Sequence, residues 1–261
     1  MTPMGTEEIS PADDSTGQFP QLDLGGDALF LDIDGTLIDI APTPEAVVVP
    51  ESLKIDLVRL RDKLSGALAL LSGRTLGAID QLFAPVKFAA AGAHGAEVRP
   101  APDGAVKHCA QAMTAVEKAA FAEIAKVDPR IRIEDKVYTM AIHYRLAPEA
   151  EDLLIGLVND RVGKLQENLR VLCGKAVVEV KRRGFNKGTG LRALMEHPPF
   201  AGRRPLFFGD DVTDEDALAV LPEFGGTGVS VGRLLPGATG MIERPAQLRH
   251  WLAAIAPQAP D

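Results

Sequence analysis

Two cysteines in 261 residues, Cys109 and Cys173, exclude a disulfide framework, and neither stands in a metal-type or redox-type spacing. Both are expected to be buried as small apolar side chains. Basic residues are also in short supply: 28 Lys and Arg face 36 Asp and Glu, for a net charge of -8. That balance argues against an electrostatic footprint for nucleic acid or for an anionic membrane. Any phosphate that binds must therefore be held by local groups. No stretch approaches the ~20 consecutive apolar residues of a membrane span, and the first residues lack the basic and apolar regions of a secretory signal. The expectation is a soluble, cytoplasmic protein with no membrane or nucleic-acid partner and no implied obligate protein partner. No internal repeat is present, and no GxGxxG follows the first strand-like run, which excludes a nucleotide-binding module of that type.

With 46% hydrophobic residues, the chain can bury a sizeable core. Residues 1–26 mix Pro, Ser, Thr, Gly and acidic residues without periodicity and read as a flexible leader. From Ala28 onward short apolar runs alternate with amphipathic stretches. Ala28 to Ile33, Ala67 to Leu71 and Phe88 to Ala91 read as strands buried on both faces. Leu53, Leu57, Leu60 and Leu64 recur at helical spacing between Pro50 and Gly66, and a second helix is predicted from Thr75 to Phe83. This βαβ alternation implies an α/β fold with a parallel sheet and right-handed crossovers.

Between residues 102 and 182 the pattern changes. Two helical stretches, Ala112 to Val127 and Pro148 to Glu167, each precede a pair of strand-like runs: Arg130 to Glu134 with Val137 to Arg145, and Arg170 to Cys173 with Lys175 to Lys181. Such pairs suggest an α+β unit inserted as a cap. Parallel alternation resumes with a helix from Lys187 to Met195, strands at Pro205 to Phe208 and Thr227 to Val231, a helix at Thr213 to Leu221 and a last helix at Pro245 to Ile255. The predicted organisation is a core of residues 27–101 and 183–261 and a cap of residues 102–182.

Ligands of open α/β sheets bind outside the carboxyl ends of the strands. At those ends stand Asp32-Ile33-Asp34-Gly35-Thr36, Ser72-Gly73-Arg74, Gly209-Asp210-Asp211 with Thr213-Asp214-Glu215, and, opening the resumed core, Asn186-Lys187-Gly188. In order and context these four sets resemble the motifs of the haloacid dehalogenase superfamily, with its Rossmann-like parallel core and inserted cap. Leu31 to Leu37, Leu71 to Thr75, Gly92 to Glu97, Glu134 to Lys136, His143 to Arg145, Val178 to Lys181 and Gly209 to Glu215 together resemble the trehalose 6-phosphate phosphatase family more closely.

The resemblance implies a Mg²⁺-dependent phosphatase acting on a small sugar phosphate. It makes Asp32 the nucleophile and Asp34 the general acid and base, with Mg²⁺ held by Asp32, the Asp34 carbonyl and Asp210. Asp211 and Asp214 would support the metal ligands from behind. Gly35, Thr36, Ser72, Gly73 and Lys187 would bind the phosphate. Glu134, Lys136, His143, Arg145, Glu179 and Lys181 would bind the sugar. A phosphate monoester repels a carboxylate nucleophile, so a nearby dication and lysine are what such chemistry requires.

Each of these residues also has a plainer reading. The polar strand faces of the cap could be a solvated sheet surface, and Glu215 and Asp216 suit the N-terminus of a helix. Lys187 does not, because a cation opening a helix opposes the dipole. Arg74 reads rather as an ion-pair partner than as a substrate contact, and His94 as a loop-packing residue. His108, His197 and His250 default to surface or capping roles. Sucrose phosphate or mannosylglycerate phosphate would suit the same core, and a non-catalytic sugar-phosphate binding protein is a further alternative. Two departures from the family pattern, Lys181-Arg182-Arg183 and Leu218, lie away from the expected chemistry.

Overall fold

A computed structural model describes residues 19–40, 47–165, 168–174 and 176–256. The first 18 residues of the expected leader lie outside the described residues, as does Lys175. Among the described residues, twelve strands and seven α-helices follow in chain order: β1 (Asp27–Leu31), α1 (Glu51–Lys63), β2 (Leu68–Leu71), α2 (Leu76–Phe83), β3 (Ala89–Gly92), β4 (Glu97–Arg99), β5 (Lys107–His108), α3 (Ala115–Ala122), β6 (Arg132–Asp135), β7 (Thr139–His143), α4 (Glu151–Leu165), β8 (Leu169–Gly174), β9 (Val177–Arg182), α5 (Lys187–Met195), β10 (Arg204–Gly209), α6 (Glu215–Leu218), β11 (Thr227–Val231), β12 (Gly240–Ile242) and α7 (Pro245–Ile255).

The larger sheet has the order β12-β11-β10-β1-β2-β3-β4-β5. Its first six strands are parallel, and β4 and β5 extend the edge antiparallel. From β1 the chain builds outward through β2 and β3, then returns to build the other way through β10, β11 and β12. The strand order therefore reverses between β1 and β10, which is where α/β sheets place their ligands. In register, Leu31 faces Phe208 on one side and Leu70 on the other. Asp32, Asp210 and Ser72 thus emerge together at one end. The strands β1, β2 and β3 are fully buried, as their continuous apolar text requires, and Leu53, Leu57 and Leu60 seat α1 in the same core.

The smaller sheet, order β6-β7-β9-β8, is antiparallel throughout. Met140, Ile142, Val178 and Val180 turn one face toward Phe121, Leu154 and Val158 of α3 and α4. Period-two alternation leaves Glu134, Thr139, Ala141, His143 and Glu179 on the other face. In the register Glu134, Ala141 and Glu179 stand side by side, with only a methyl between the two carboxylates.

Four expectations need correction. The core sheet takes in β4 and, past residue 101, β5, whose few and mostly polar residues carry no strand signal. The stretch 19–26 belongs to the fold, because Phe19 stacks on Trp251 at 5.2 Å and leans on Phe208, and Leu22 packs against the same core. Cys109 and Cys173 are exposed. The helix expected to run to Leu221 shortens to α6 and a 3-10 turn that Gly225 closes in a left-handed conformation. Phe19→Ala should therefore destabilise the protein by about 1.5–2.5 kcal/mol, half the penalty of a fully buried phenylalanine. Thermal unfolding should show a fall of roughly 3–6 °C, and an unchanged midpoint would return the segment to leader status.

Candidate active site

Asp32 follows β1 directly, and its N–H donates to the Phe208 carbonyl, so the backbone fixes where the carboxylate points. Its Oδ1 accepts from Lys187 Nζ at 2.7 Å. Lys187 is the first residue of α5, whose start is set by a reciprocal cap between Asn186 and Thr189. A buried cation at that position opposes the helix dipole. It is held there by two carboxylates, Asp32 and Asp214, each at 2.7 Å. They hold its ammonium pKa well above the ordinary lysine range, against the opposing effect of burial.

Asp214 is wholly buried and fully engaged. Its Oδ1 accepts from Lys187, and its Oδ2 accepts from the N–H groups of Asp210 and Asp211, both at 3.0 Å. It therefore shapes the loop that presents Asp210. Asp211 accepts from the Thr213 N–H and hydroxyl; burial alone would raise its carboxyl, but Lys187 and these hydrogen bonds hold it lower. Carboxylate oxygens of Asp32, Asp210 and Asp214 lie within 4.8 Å of one another. Burial and the neighbouring Asp210 and Asp211 raise Asp32 to about 7 despite Lys187. One lysine is too little positive charge for this cluster, and a hard, oxygen-loving dication is the group that fits it.

Several expected site residues are placed differently from the motif reading. The Gly35 N–H donates to the Ile38 carbonyl at 2.8 Å and is not available to a phosphate. What Gly35 supplies is space: its φ is +91°, and a Cβ there would fall 2.2 Å from Asp210 Oδ2. Buried Thr36 donates its hydroxyl to Asp210 Oδ1 at 3.3 Å. Ser72 is buried, and its Oγ accepts from the Arg74 N–H, which leaves the hydroxyl proton to donate. The Gly73 N–H has no partner among the described residues. The Asp34 carboxylate is taken up by Arg74, which donates to both oxygens at 2.7 Å.

The polar face of the cap sheet meets this loop region. Glu134 accepts from His143 Nε2 at 2.9 Å, and Lys136 sits between Glu134 and Glu179, 3.9 and 3.5 Å away. Glu179 also accepts from Thr139 Oγ1 at 2.6 Å and pairs with His94 Nε2 of the core at 3.0 Å. Burial works to raise the Glu179 carboxyl, and His94, Lys136 and Thr139 outweigh it, so Glu179 stays ionised. Arg145 is exposed two residues past the end of β7. Lys181 shares the face of Glu179, but its buried ammonium folds back onto the Phe185 carbonyl and ring, and burial lowers it to about 8. Arg74 and His94 take larger parts in the site than the motifs alone suggested.

The parallel core, its strand reversal at the Asp32–Asp210 cluster and the inserted cap make a fold shared with solved phosphatases, among them one from Bacteroides thetaiotaomicron of the haloalkanoate (HAD) enzyme superfamily, at 19% identity and a TM-score of 0.59 over 92% of this chain and 98% of that one. The trehalose-phosphatase family model matches residues 30–234, and the chain belongs to that family. It is 44% identical to a probable trehalose-phosphate phosphatase of Sinorhizobium fredii over 90% of this chain and 89% of that one. Identity to the trehalose-6-phosphate phosphatase of Escherichia coli is 37%, over 87% and 86% of the two chains. The C-terminal domain of a Candida albicans trehalose-6-phosphate phosphatase superposes with a TM-score of 0.77 over 88% of this chain and 92% of that domain, at 23% identity. Among the described residues, no helix is long and apolar enough to cross a membrane.

Proposed function

We propose that the protein hydrolyses trehalose 6-phosphate to trehalose and inorganic phosphate with Mg²⁺, through a phosphoryl group carried transiently on Asp32. The observation that carries this reading is the buried Asp32 carboxylate, held by Lys187 and crowded by Asp210 and Asp214, under a cap face of carboxylates, lysine and histidine. Asp32, the Asp34 carbonyl and Asp210 would hold the ion. When bound it would neutralise the charge that otherwise keeps a carboxylate and a phosphate ester apart.

Asp32 attacks phosphorus and the bond to the sugar oxygen breaks; protonated Asp34 delivers its proton to that oxygen. Water then attacks the phosphorus of the Asp32 ester, Asp34 takes the water proton, and the Asp32 carboxylate is released with phosphate. In the ion pair with Arg74, Asp34 is a carboxylate; release from the guanidinium and uptake of a proton from solvent give the acid that the first step needs. Ser72 Oγ, the Gly73 N–H and Lys187 Nζ supply donors to the phosphoryl oxygens. Glu134, Lys136, His143 and Glu179 offer acceptors and donors to sugar hydroxyls, and Arg145 stands at the margin of that surface.

A phosphate-release screen tests the substrate. With Mg²⁺, kcat/KM for trehalose 6-phosphate should exceed that for sucrose phosphate, mannosylglycerate phosphate and p-nitrophenyl phosphate by about tenfold or more, and a chelator should abolish release. A flat profile, or a preference for another ester, would refute the assignment of substrate.

A further inference from the structure

His94 combines three features that a loop-packing residue has no reason to keep. Its backbone is left-handed, with φ 55° and ψ 35°, in a side chain that is not glycine. It is buried, with 5% of its surface exposed, and its buried Nδ1 has no hydrogen-bond partner among the described residues. Such features persist where the surroundings demand them.

The surroundings are the two halves of the site. The His94 N–H donates to the Ser72 carbonyl at 2.9 Å, and a Cβ on Gly73 would fall 2.7 Å from the imidazole Cε1 and Nε2. The ring therefore lies directly against the loop that offers the phosphate its hydroxyl and N–H. Its Nε2 reaches across to Glu179 Oε2 in β9 of the cap, while Thr139 holds the other oxygen of the same carboxylate. We propose that His94 is a positioning residue that locks Glu179 against the Ser72-Gly73 loop, so that the grip on the sugar is set by the loop that holds the phosphate. This rests on the reading of Glu179 as a sugar contact. Without His94 the carboxylate keeps Lys136 and Thr139 as partners but loses its fixed direction, and the loss falls on esters with sugar hydroxyls to recognise.

The test compares kcat/KM for trehalose 6-phosphate and p-nitrophenyl phosphate across the wild type, His94→Ala, His94→Gln, Glu179→Gln and the His94→Ala/Glu179→Gln pair. In His94→Ala the ratio of the two constants should fall about 30-fold, the worth of one hydrogen bond to a charged group. Glutamine, whose amide nitrogen can occupy the place of Nε2, should restore the ratio to within about threefold of the wild type. On the sugar ester the double variant should be little worse than either single one, a coupling of about tenfold or more. Equal loss on both esters at a normal melting temperature, or full additivity, would overturn the proposal by making His94 a scaffold for the loop alone. If the wild type prefers another sugar phosphate, the substrate assignment fails on that control, and the same ratio taken with that ester still decides the role of His94.

Discussion

Replacing Asp32 with Asn should reduce phosphate release by about 10⁴-fold or more while the protein stays folded, because the amide cannot accept the phosphoryl group and no other described carboxylate holds its position. The fold is retained because the substitution relieves crowded charge. Asp32 is raised from 3.8 to about 7, first by burial and then by Asp210 and Asp211. Between those values the folded protein binds a proton that the unfolded chain does not, so the stability of the metal-free protein falls as pH rises from about 4 to about 7. Asparagine removes that penalty. At pH 7 the metal-free variant should melt no lower than the wild type, and its stability should vary less with pH over that window. Turnover within tenfold of the wild type would refute the role of Asp32. A large drop in melting temperature would mean instead that the Lys187 contact outweighs the repulsion.

Lys187→Met should have the opposite effect on stability and a similar one on activity. It leaves Asp32 and Asp214 buried without the ammonium that each touches at 2.7 Å. Removing one partner of a buried ion pair costs about 3–5 kcal/mol, here roughly 10 °C in melting temperature. Adding Asp214→Asn to Lys187→Met should recover part of the lost stability, because it deletes one of the stranded charges, although it cannot recover turnover. A double variant less stable than Lys187→Met alone would show that the hydrogen bonds from Asp214 to the Asp210 and Asp211 N–H groups matter more than its charge.

The text of the chain revealed the core strands and the polar residues at their ends for one shared reason. Strands buried on both faces must be continuous apolar runs, so the polar residues that interrupt them mark where each run meets the ligand end of the sheet. That logic reads Asp32, Ser72 and Asp210 directly. It fails at β4, β5 and β12, which are two or three residues long and draw their order from a neighbour already in place. Alternation assigned Glu179 and Lys181 to one face, but a long side chain need not follow its Cβ, and Lys181 folds back to Phe185.

What the sequence could not show are partnerships across large separations. Arg74 finds Asp34 forty residues away, and His94 finds Glu179 eighty-five residues away in the other domain. Neither separation leaves a period to detect. For His94 a signal was nonetheless present: it stands just past the carboxyl end of β3, and the rule that selected the other strand ends applies there as well. Gly35 and Thr36 show the converse. Their motif position is right, but the turn spends the Gly35 N–H on Ile38 and the Thr36 hydroxyl on Asp210, so they build the carboxylate cluster instead of touching phosphate.

The most direct measurement is to mix enzyme and trehalose 6-phosphate labelled on phosphorus, quench with acid within one turnover, and locate the label by peptide mass spectrometry. The expected result is label on the peptide carrying Asp32, released by hydroxylamine as an acyl phosphate would be and missing from the Asp32→Asn variant. Rapid formation of free phosphate with no protein-bound label at any time within that turnover, or label on another residue, would contradict the account.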